Sequence, residues 1–284
     1  MDTRFATPHC RIYAASSELS PYVVRYFDGQ LDADELAPVR IPPLGSIHLT
    51  YSYGGPVAIH FSDWSCPDAP PLFFGGQLKT DFPTLQATEW FGLLGVEFTP
   101  TGFYRLFGQS PAPFTDSFTD FRQVRPRDND ELLRQLAAGR SAKDPVAYYA
   151  AELDRYLMAQ LPLAKPLGLA DQAVGLINAQ RGSIGMDELA RRCGASDRQL
   201  RREFVRVVGI SPKQYAKVVQ VNVAAGCIGR NDPHRLTEVA LDHGYFDQAH
   251  FIHDFNRYIG TFPGDFLRSH NAHLRTYMNS RRIA

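Results

Sequence analysis

The feature that most constrains this chain is a duplication in the C-terminal third of its sequence. The segment that begins at Glu188 reads ELARRCGASDRQLRREF, and the segment that begins at Glu238 reads EVALDHGYFDQAHFIHDF. Glutamate, alanine and glycine recur at an offset of 50 residues, and large apolar residues recur at an offset of 51 after one extra residue in the turn. A repeat of this size predicts one supersecondary unit that is used twice.

Each copy predicts a helix, a tight turn and a second helix. Gly194 and Gly244 suit the position just after the first helix, where a positive φ is common. Ser196 and Asp247 follow as N-caps, because a side-chain oxygen there accepts from the backbone N–H groups that open the next helix. That helix has one apolar stripe in each copy. The stripes are Leu200, Phe204, Val207 and Val208 in the first copy and Phe251, Phe255, Tyr258 and Ile259 in the second.

A long helix is predicted between the copies, at residues 211–229. Ser211 can cap it, and Pro212 occupies the first helical position, where a missing N–H is harmless. At about 1.5 Å per residue this helix is roughly 28 Å long. Major grooves recur about every 34–36 Å along one face of DNA. The spacing therefore predicts that two recognition helices of one chain enter successive grooves.

Charge separates the two halves of the chain, although the formal net charge is zero. Residues 1–165 hold 14 Lys and Arg against 19 Asp and Glu, a net charge of −5, whereas residues 166–284 hold 16 against 11, a net charge of +5. The basic half is the one suited to a polyanion. Within it, the polar face of the first recognition helix carries four arginines, Arg198, Arg201, Arg202 and Arg206.

These motifs, with GISPKQY and the closing FNRYIGTFPGDF, make residues 169–271 resemble the DNA-binding domain of the AraC/XylS family of bacterial transcription regulators. The resemblance implies that the first recognition helix reads bases through Arg198, Arg201 and Arg202, since arginine forms bidentate contacts to guanine. In the second helix it implies base-reading residues at Gln248, Ala249, His250, Ile252 and His253. The family often has arginine at the last of these positions, so the second helix carries little positive charge here.

Two further residues near helix starts are predicted to contact DNA phosphates. They are Lys213 and Thr237. Simple capping of a helix is the alternative role for Thr237.

The N-terminal half is predicted to be mostly β up to about residue 125. HLTYSY at residues 48–53 and VAIHF at residues 57–61 flank Gly54-Gly55-Pro56, a pattern typical of a hairpin. Further strand-like runs are PLFF at 71–74 and LQATEWFGLLGVEF at 85–98. Short strands at this spacing favour a small barrel or a sandwich. Helices are predicted at 101–108, 128–139 and 145–161, and the last packs an apolar stripe on the barrel or on a second subunit.

This half resembles, more weakly, the small barrel that precedes the DNA-binding domain in AraC-like regulators, and the segment GVEFTPTGFYRLFG carries the likeness. The resemblance implies that it binds a small effector or forms a homodimer, with the ligand-binding residues unassigned. His48 and His60 are interpreted as structural, because a metal site needs more ligands at close spacing. Four aromatic residues are interpreted as core rather than as a ligand cage: Trp64, Trp90, Phe73 and Phe74.

The sequence as a whole predicts a two-domain α+β chain. The N-terminal domain, residues 1–165, is a small β-barrel or sandwich with a helical tail. The C-terminal domain, residues 166–284, is all-α and joins two helix-turn-helix units by a long helix. Pro162, Pro166 and Gly168 mark the boundary. No apolar run reaches the roughly 18 residues that a membrane span needs, and no signal peptide is visible, so a cytoplasmic location is predicted.

The predicted function is sequence-specific binding of double-stranded DNA by a transcription regulator, with RNA polymerase as a protein partner. An activator is one of two open roles, the other being a repressor, and the oligomeric state is also left open. The alternative is a DNA-targeted enzyme of the alkylation-repair kind, which needs an activated cysteine, commonly within a four-cysteine zinc site. Cys10 and Cys66 are the only cysteines in the N-terminal half and lie far apart, so neither an enzyme, a cofactor nor a metal is expected. In a third hypothesis the N-terminal domain only dimerises. The operator and the effector are left open.

Overall fold

A computed structural model describes residues 10–31, 39–79, 82–228 and 236–268. The ends of the two predicted domains, residues 1–9 and 269–284, lie outside the described residues. The strands are β1 (Cys10–Tyr13), β2 (Val23–Leu31), β3 (Val39–Arg40), β4 (His48–Gly54), β5 (Val57–His60), β6 (Ser65–Cys66), β7 (Leu72–Gly75), β8 (Thr84–Ala87), β9 (Phe91–Phe98) and β10 (Phe118–Asp120). The helices are α1 (Gly102–Phe107), α2 (Phe121–Val124), α3 (Asn129–Ala138), α4 (Pro145–Met158), α5 (Leu169–Ala179), α6 (Met186–Arg192), α7 (Asp197–Val208), α8 (Pro212–Ile228), α9 (Leu236–Asp242), α10 (Gln248–Ile259) and α11 (Pro263–Arg268).

The strands form two antiparallel sheets that face each other as a sandwich. The larger sheet has six strands in the order β1-β2-β9-β4-β7-β10, and the smaller has four in the order β3-β8-β5-β6. Every strand pair in both sheets is antiparallel. The sheets do not close into one barrel, so of the two predicted architectures the sandwich is the observed one.

The predicted hairpin around Gly54-Gly55-Pro56 is wrong. β4 pairs with β9 on one side and β7 on the other, and β5 pairs instead with β6 and β8 in the smaller sheet. Since both edges of β4 are occupied, β5 has no place beside it. The chain crosses between the sheets at Gly54, whose φ is +91°. The run 85–98 makes a second crossing next to the first, where the Gly55 N–H donates to the Trp90 carbonyl at 2.8 Å.

Helices α1 to α4 cover the outer face of the larger sheet. Tyr149, Leu153 and Leu157 of α4 are buried against it, and the Tyr149 ring lies 5.0 Å from the ring of Tyr51 on β4. The apolar stripe predicted for this helix therefore packs on the sheet of the same chain. Burial of several large side chains on this face holds the N-terminal half together.

The space between the two sheets is filled by apolar side chains and by a buried ion pair. Phe73 is buried there, and the Arg25 Nε lies 2.8 Å from the Glu97 Oε2 in an ion pair with almost no solvent exposure. His48 contacts the ring of Phe27 edge-on at 5.6 Å. In the described part of the chain no group of three or more His, Cys, Asp or Glu side chains could hold a metal ion.

The aromatic residues interpreted as core divide into two groups. Phe73 and Phe74 are buried, and Trp64 is half-buried on the ring of Phe61. Trp90, however, is 40% exposed, so its assignment to the core is wrong. Its position just before β9, at the crossing between the sheets, places its ring at the rim of the sandwich.

Helices α5 to α11 form two clusters that share α8. Tyr215 and Val219 of α8 are buried with α5, α6 and α7, whereas Val218 and Val221 are buried with α9, α10 and α11. The 17 residues of α8 correspond to a length of about 25 Å. The helix predicted at 211–229 is thus a strut that packs one unit on each of its faces.

Among the described residues, no helix combines the length and the apolar character that a membrane span requires.

Candidate nucleic-acid interface

Both turns of the duplicated unit have the predicted backbone conformation. Gly194 has a φ of +61° and Gly244 a φ of +75°. The next N–H in each copy donates back to the last turn of the preceding helix, from Ala195 to the Ala190 carbonyl at 3.1 Å in the first and from Tyr245 to the Ala240 carbonyl at 3.0 Å in the second. This pairing satisfies a carbonyl that a helix end would otherwise leave open. The glycines therefore set the angle at which each recognition helix begins.

Both predicted N-caps are present. The Ser196 Oγ accepts from the Gln199 N–H at 3.3 Å, and the Asp247 Oδ1 accepts from the His250 N–H at 2.7 Å. These hydrogen bonds fix where α7 and α10 begin, directly after each turn. The two apolar stripes are buried as predicted.

Three arginines of α7 present their charge to solvent. Arg198, Arg201 and Arg202 are exposed, and with Asp197 and Val205 they line a shallow surface groove. No carboxylate within the described residues forms an ion pair with any of the three, whereas nearby Arg191 is paired with Glu188. Unneutralised guanidinium groups within two helical turns repel one another, and a polyanion relieves that repulsion. The donors of this face are therefore available for phosphates or base edges.

Arg206 differs from the other three, although the helical period places it on the same polar face. Its guanidinium donates to the Tyr104 hydroxyl of α1 and to the Glu203 carboxylate, and it lies 4.5 Å from the centre of the Tyr104 ring. The hydrogen bond that Arg206 donates to the Glu203 carboxylate raises the pKa of Arg206. This arginine thus joins α7 to the N-terminal half. No sequence pattern points to Tyr104, which is an ordinary residue of the predicted helix 101–108.

The predicted reading face of α10 has a different character. Ala249, His250 and His253 are exposed, and Gln248 and Ile252 are half-buried. The Thr237 hydroxyl donates to the Gln248 Oε1 at 3.0 Å and so links α9 to α10.

A buried carboxylate lies beneath the two histidines of this face. Asp254 Oδ2 lies 2.8 Å from Lys217 Nζ and 3.4 Å from His250 Nε2, and Asp254 Oδ1 lies 3.6 Å from His253 Nδ1. The carboxylate therefore offsets positive charge under this face, which is much less basic than that of α7. Lys213, the other predicted phosphate contact, is exposed in the first turn of α8.

Several hydrogen bonds hold the helical half on the sandwich. The Thr115 hydroxyl donates to the Gly209 carbonyl at 2.8 Å, just after α7 ends. The Thr101 hydroxyl donates to the Asp171 carboxylate of α5 at 2.6 Å, and the Asn222 amide of α8 donates to the Pro43 carbonyl at 3.1 Å. Both the first recognition unit and the strut therefore contact the N-terminal half. Sequence patterns could not find these contacts, because the partners lie 70 to 179 residues apart.

Comparison with known proteins matches each half of the chain separately. Residues 189–269 match the family described as "Helix-turn-helix domain", and residues 11–120 match a "Domain of unknown function (DUF6597)". The first match spans α7, α8 and α10. The second covers the sandwich, and its description assigns no activity to it.

Two curated relatives are transcriptional activators. The HTH-type transcriptional activator RhaR of Salmonella dublin is 25% identical over 153 residues, which cover 50% of this chain and 54% of RhaR. The XylDLEGF operon transcriptional activator of Pseudomonas putida is 30% identical over 90 residues, which cover 30% of this chain and 27% of the relative. The chain therefore spans about half the length of RhaR and about a quarter of the length of the operon activator. Both relatives are regulators rather than enzymes.

The fold is shared over most of the chain with a protein of solved structure. The structure of unsaturated fatty acid bound wild-type ToxT from Vibrio cholerae superposes with a TM-score of 0.52 at 8% sequence identity and covers 89% of this chain and 96% of ToxT. At this identity the likeness concerns the fold alone, a sheet-rich half followed by a helical half. The duplicated helix-turn-helix unit, the family match at residues 189–269 and the two activators support a regulator of the AraC/XylS type.

Proposed function

We propose that this chain is a sequence-specific transcription regulator that reads two successive major grooves of double-stranded DNA with α7 and α10. The observation that carries the proposal is the exposed row of Arg198, Arg201 and Arg202 on the helix that follows a capped turn. Such a helix presents its first turns to base edges when it lies in a major groove. The named activators among the relatives support activation as its role.

The two recognition helices divide the reading between them in this proposal. The arginines of α7 form bidentate contacts to guanine, and Gln248 of α10 contacts adenine. Ala249 and Ile252 supply apolar contact to thymine methyl groups, while His250 and His253 lie near the backbone. Lys213 and Thr237 anchor phosphates beside each unit. The low charge of α10 above Asp254 supports this division.

The proposal is tested by selecting binding sites for the full chain from randomised duplexes at two salt concentrations. We expect enrichment of a site with two blocks about 10–10.5 base pairs apart. One block should be richer in guanine. Affinity should fall steeply with salt, because the arginines displace counterions. Salt-dependent binding without enrichment of any sequence would refute the specific reading.

A pair of arginine variants then separates base reading from general charge. Arg202→Ala is expected to cost about 1–3 kcal/mol on the selected site and to relax the preference at one base pair. Arg191→Ala is the matched control, since Arg191 is exposed on α6 but paired with Glu188. It should leave the base preference unchanged. Equal losses on selected and random DNA for Arg202→Ala would contradict its assigned role.

The N-terminal half is proposed to control this binding, either by taking up a small effector or by forming a homodimer. Its contacts to the first unit, from Thr115 to Gly209 and from Tyr104 to Arg206, support a coupling of the two halves. RNA polymerase is the proposed protein partner of the DNA-bound chain. Sedimentation of the full chain with and without DNA tests the dimer.

A further inference from the structure

A cavity of about 610 Å³ opens at one end of the larger sheet. Its lining comes from the ends of β2 and β4, from Trp90 just before β9, and from the start of α4. Tyr53 and Tyr149 in its wall belong to the core between the sheet and the helices. The cavity therefore lies on the helix-covered face of the sheet and not between the two sheets. Its volume is within the range of sites for small molecules.

The rim of the cavity is strongly basic. Arg11, Arg140 and Lys143 line it, with Asp144 as the one carboxylate among the described lining residues. Three positive charges against one negative charge leave a net charge of +2. Arg140 and Lys143 form no ion pair with any described residue. Arg11 lies 3.8 Å from Asp144 and also interacts with Tyr13 and with the buried Asp28.

The charge of Asp144 is further engaged by the helix that it caps. Its Oδ1 accepts from the Ala147 N–H at 3.1 Å at the start of α4. A carboxylate at a helix N-terminus is already stabilised by the backbone N–H groups there. Arg140 and Lys143 at the rim therefore carry positive charge that no described residue neutralises, and an anion in the cavity would neutralise it.

The wall of the cavity is aromatic. The Tyr53 ring lies 5.9 Å from the ring of Trp90 and 5.3 Å from the ring of Tyr149. Trp90 is 40% exposed although aromatic side chains of this size are usually buried. Its exposed face, next to two tyrosines, suits a planar or apolar body of a ligand.

A buried polar cluster fixes the tyrosine of this wall. The Tyr53 hydroxyl donates to Asp28, which has no solvent exposure, and the Gln30 amide donates to the Tyr53 hydroxyl at 3.2 Å and to Asp28 at 3.3 Å. Burial raises the pKa of Asp28, with the Tyr53 hydrogen bond acting in the opposite direction. The cavity wall is therefore held in place before any ligand arrives, which lowers the entropic cost of binding.

We propose that this cavity binds a small organic anion, a carboxylate or a phosphate monoester with an aromatic body, through Arg140 and Lys143 at the rim and Trp90 in the wall. Binding itself stands on the cavity alone, while its role as the effector site rests on the proposed function. A ligand held here contacts the first turn of α4, and α4 leads through residues 159–168 into α5 of the helical half. Occupancy of the cavity is thereby communicated to the DNA-reading units.

The test is titration calorimetry of the full chain with four probes. They are 3-phenylpropionate, phenyl phosphate, the neutral 3-phenylpropanamide and inorganic phosphate. We expect one molecule of an aromatic anion to bind, at least tenfold more tightly than the amide and than inorganic phosphate. The comparison of the first two probes tells a carboxylate ligand from a phosphate ester. Failure of both aromatic anions to bind, or equal affinity for acid and amide, would overturn the proposal.

Variants assign the binding to this cavity. Arg140→Ala combined with Lys143→Ala is expected to weaken the anion at least tenfold, and Trp90→Leu to weaken it several-fold. Arg134→Ala is the matched control, because Arg134 is exposed on α3 but paired with Glu131, and it should leave the affinity unchanged. An unchanged affinity in the double variant would place the ligand elsewhere and refute the site.

The same preparations distinguish this proposal from the proposed function. Ligand binding that alters neither the selected DNA sequence nor its affinity would keep the site and refute its regulatory role. Specific DNA binding by a chain that takes up neither aromatic anion would keep the proposed function and refute the site.

Discussion

Two glycine-to-alanine substitutions in the helical half are expected to change stability in opposite directions. Gly194 ends the turn at a φ of +61°, and Gly175 lies within α5 without a positive φ. A Cβ added at either position meets no atom within 4 Å. Neither variant therefore introduces a steric clash, and the two differ only in the backbone conformation of the substituted residue.

The magnitudes follow from that conformation. Alanine in the left-handed region costs roughly 1–2 kcal/mol, and the lower entropy of the unfolded chain offsets about 0.4–1 kcal/mol of it. Gly194→Ala should therefore lower the free energy of unfolding by about 1 kcal/mol. Gly175→Ala should raise it by about 0.5–1 kcal/mol, because alanine is the better helix former. Urea unfolding of the full chain followed by circular dichroism measures both.

Two further variants sharpen the result. Gly194→Asn should recover part of the loss, since asparagine tolerates a positive φ better than alanine does. Gly244→Ala in the second unit should cost more than Gly194→Ala, because the added Cβ would lie 2.8 Å from the Ser183 Oγ. If Gly194→Ala and Gly175→Ala shift the free energy in the same direction, the backbone of Gly194 does not set the turn.

Three other perturbations test the N-terminal half and its contact with α7. Glu97→Gln removes the carboxylate of the buried ion pair inside the sandwich and should lower the free energy of unfolding by about 3–5 kcal/mol; a loss below about 1 kcal/mol in urea unfolding would contradict the importance of that pair. Burial raises the pKa of Asp28, so the folded chain holds the proton of this carboxyl more tightly than the unfolded chain does. The free energy of unfolding that this proton contributes is present at low pH and is lost as the pH rises through the pKa of the folded state. The melting temperature of Asp28→Asn relative to the parent should therefore rise as the pH is raised from about 4, and a constant difference would refute the shift. Arg206→Ala removes the contact to the Tyr104 ring, which is worth about 0.5–1 kcal/mol. The variant should therefore be cleaved by a protease within residues 159–168 roughly two- to fivefold faster than the parent. A cleavage rate equal to that of the parent would show that the contact does not hold the two halves together.

The helical half was predictable because its signals are local. Gly194, Ser196 and the stripe that begins at Leu200 lie within one short segment, and each acts on the backbone next to it. Capping and positive φ need no distant partner, so the same residues give the same turn in both copies. The starts of α7, α8 and α10 followed from the sequence for this reason.

The β half was predictable only in part. Alternating side chains correctly indicated strands at β4 and β5, but they do not say which strands pair. Gly54 permits either a hairpin or a crossing, and the Gly55 N–H bond to the Trp90 carbonyl selects the crossing. The exposure of Trp90, and with it the cavity, follows from that pairing and from the position of α4. Neither is encoded near Trp90 itself.

Periodicity and capping act over a few residues, and they are enough to specify two capped recognition helices with buried apolar stripes that are joined by one strut. Which side chains of these helices are available depends on how the folded chain packs. Arg202 and Arg206 have the same chemistry, one helical turn apart, yet Arg206 is taken by a tyrosine 102 residues earlier in the chain. Contacts between residues so distant depend on how the two halves pack, and that packing comes from surface shape and burial rather than from a local pattern.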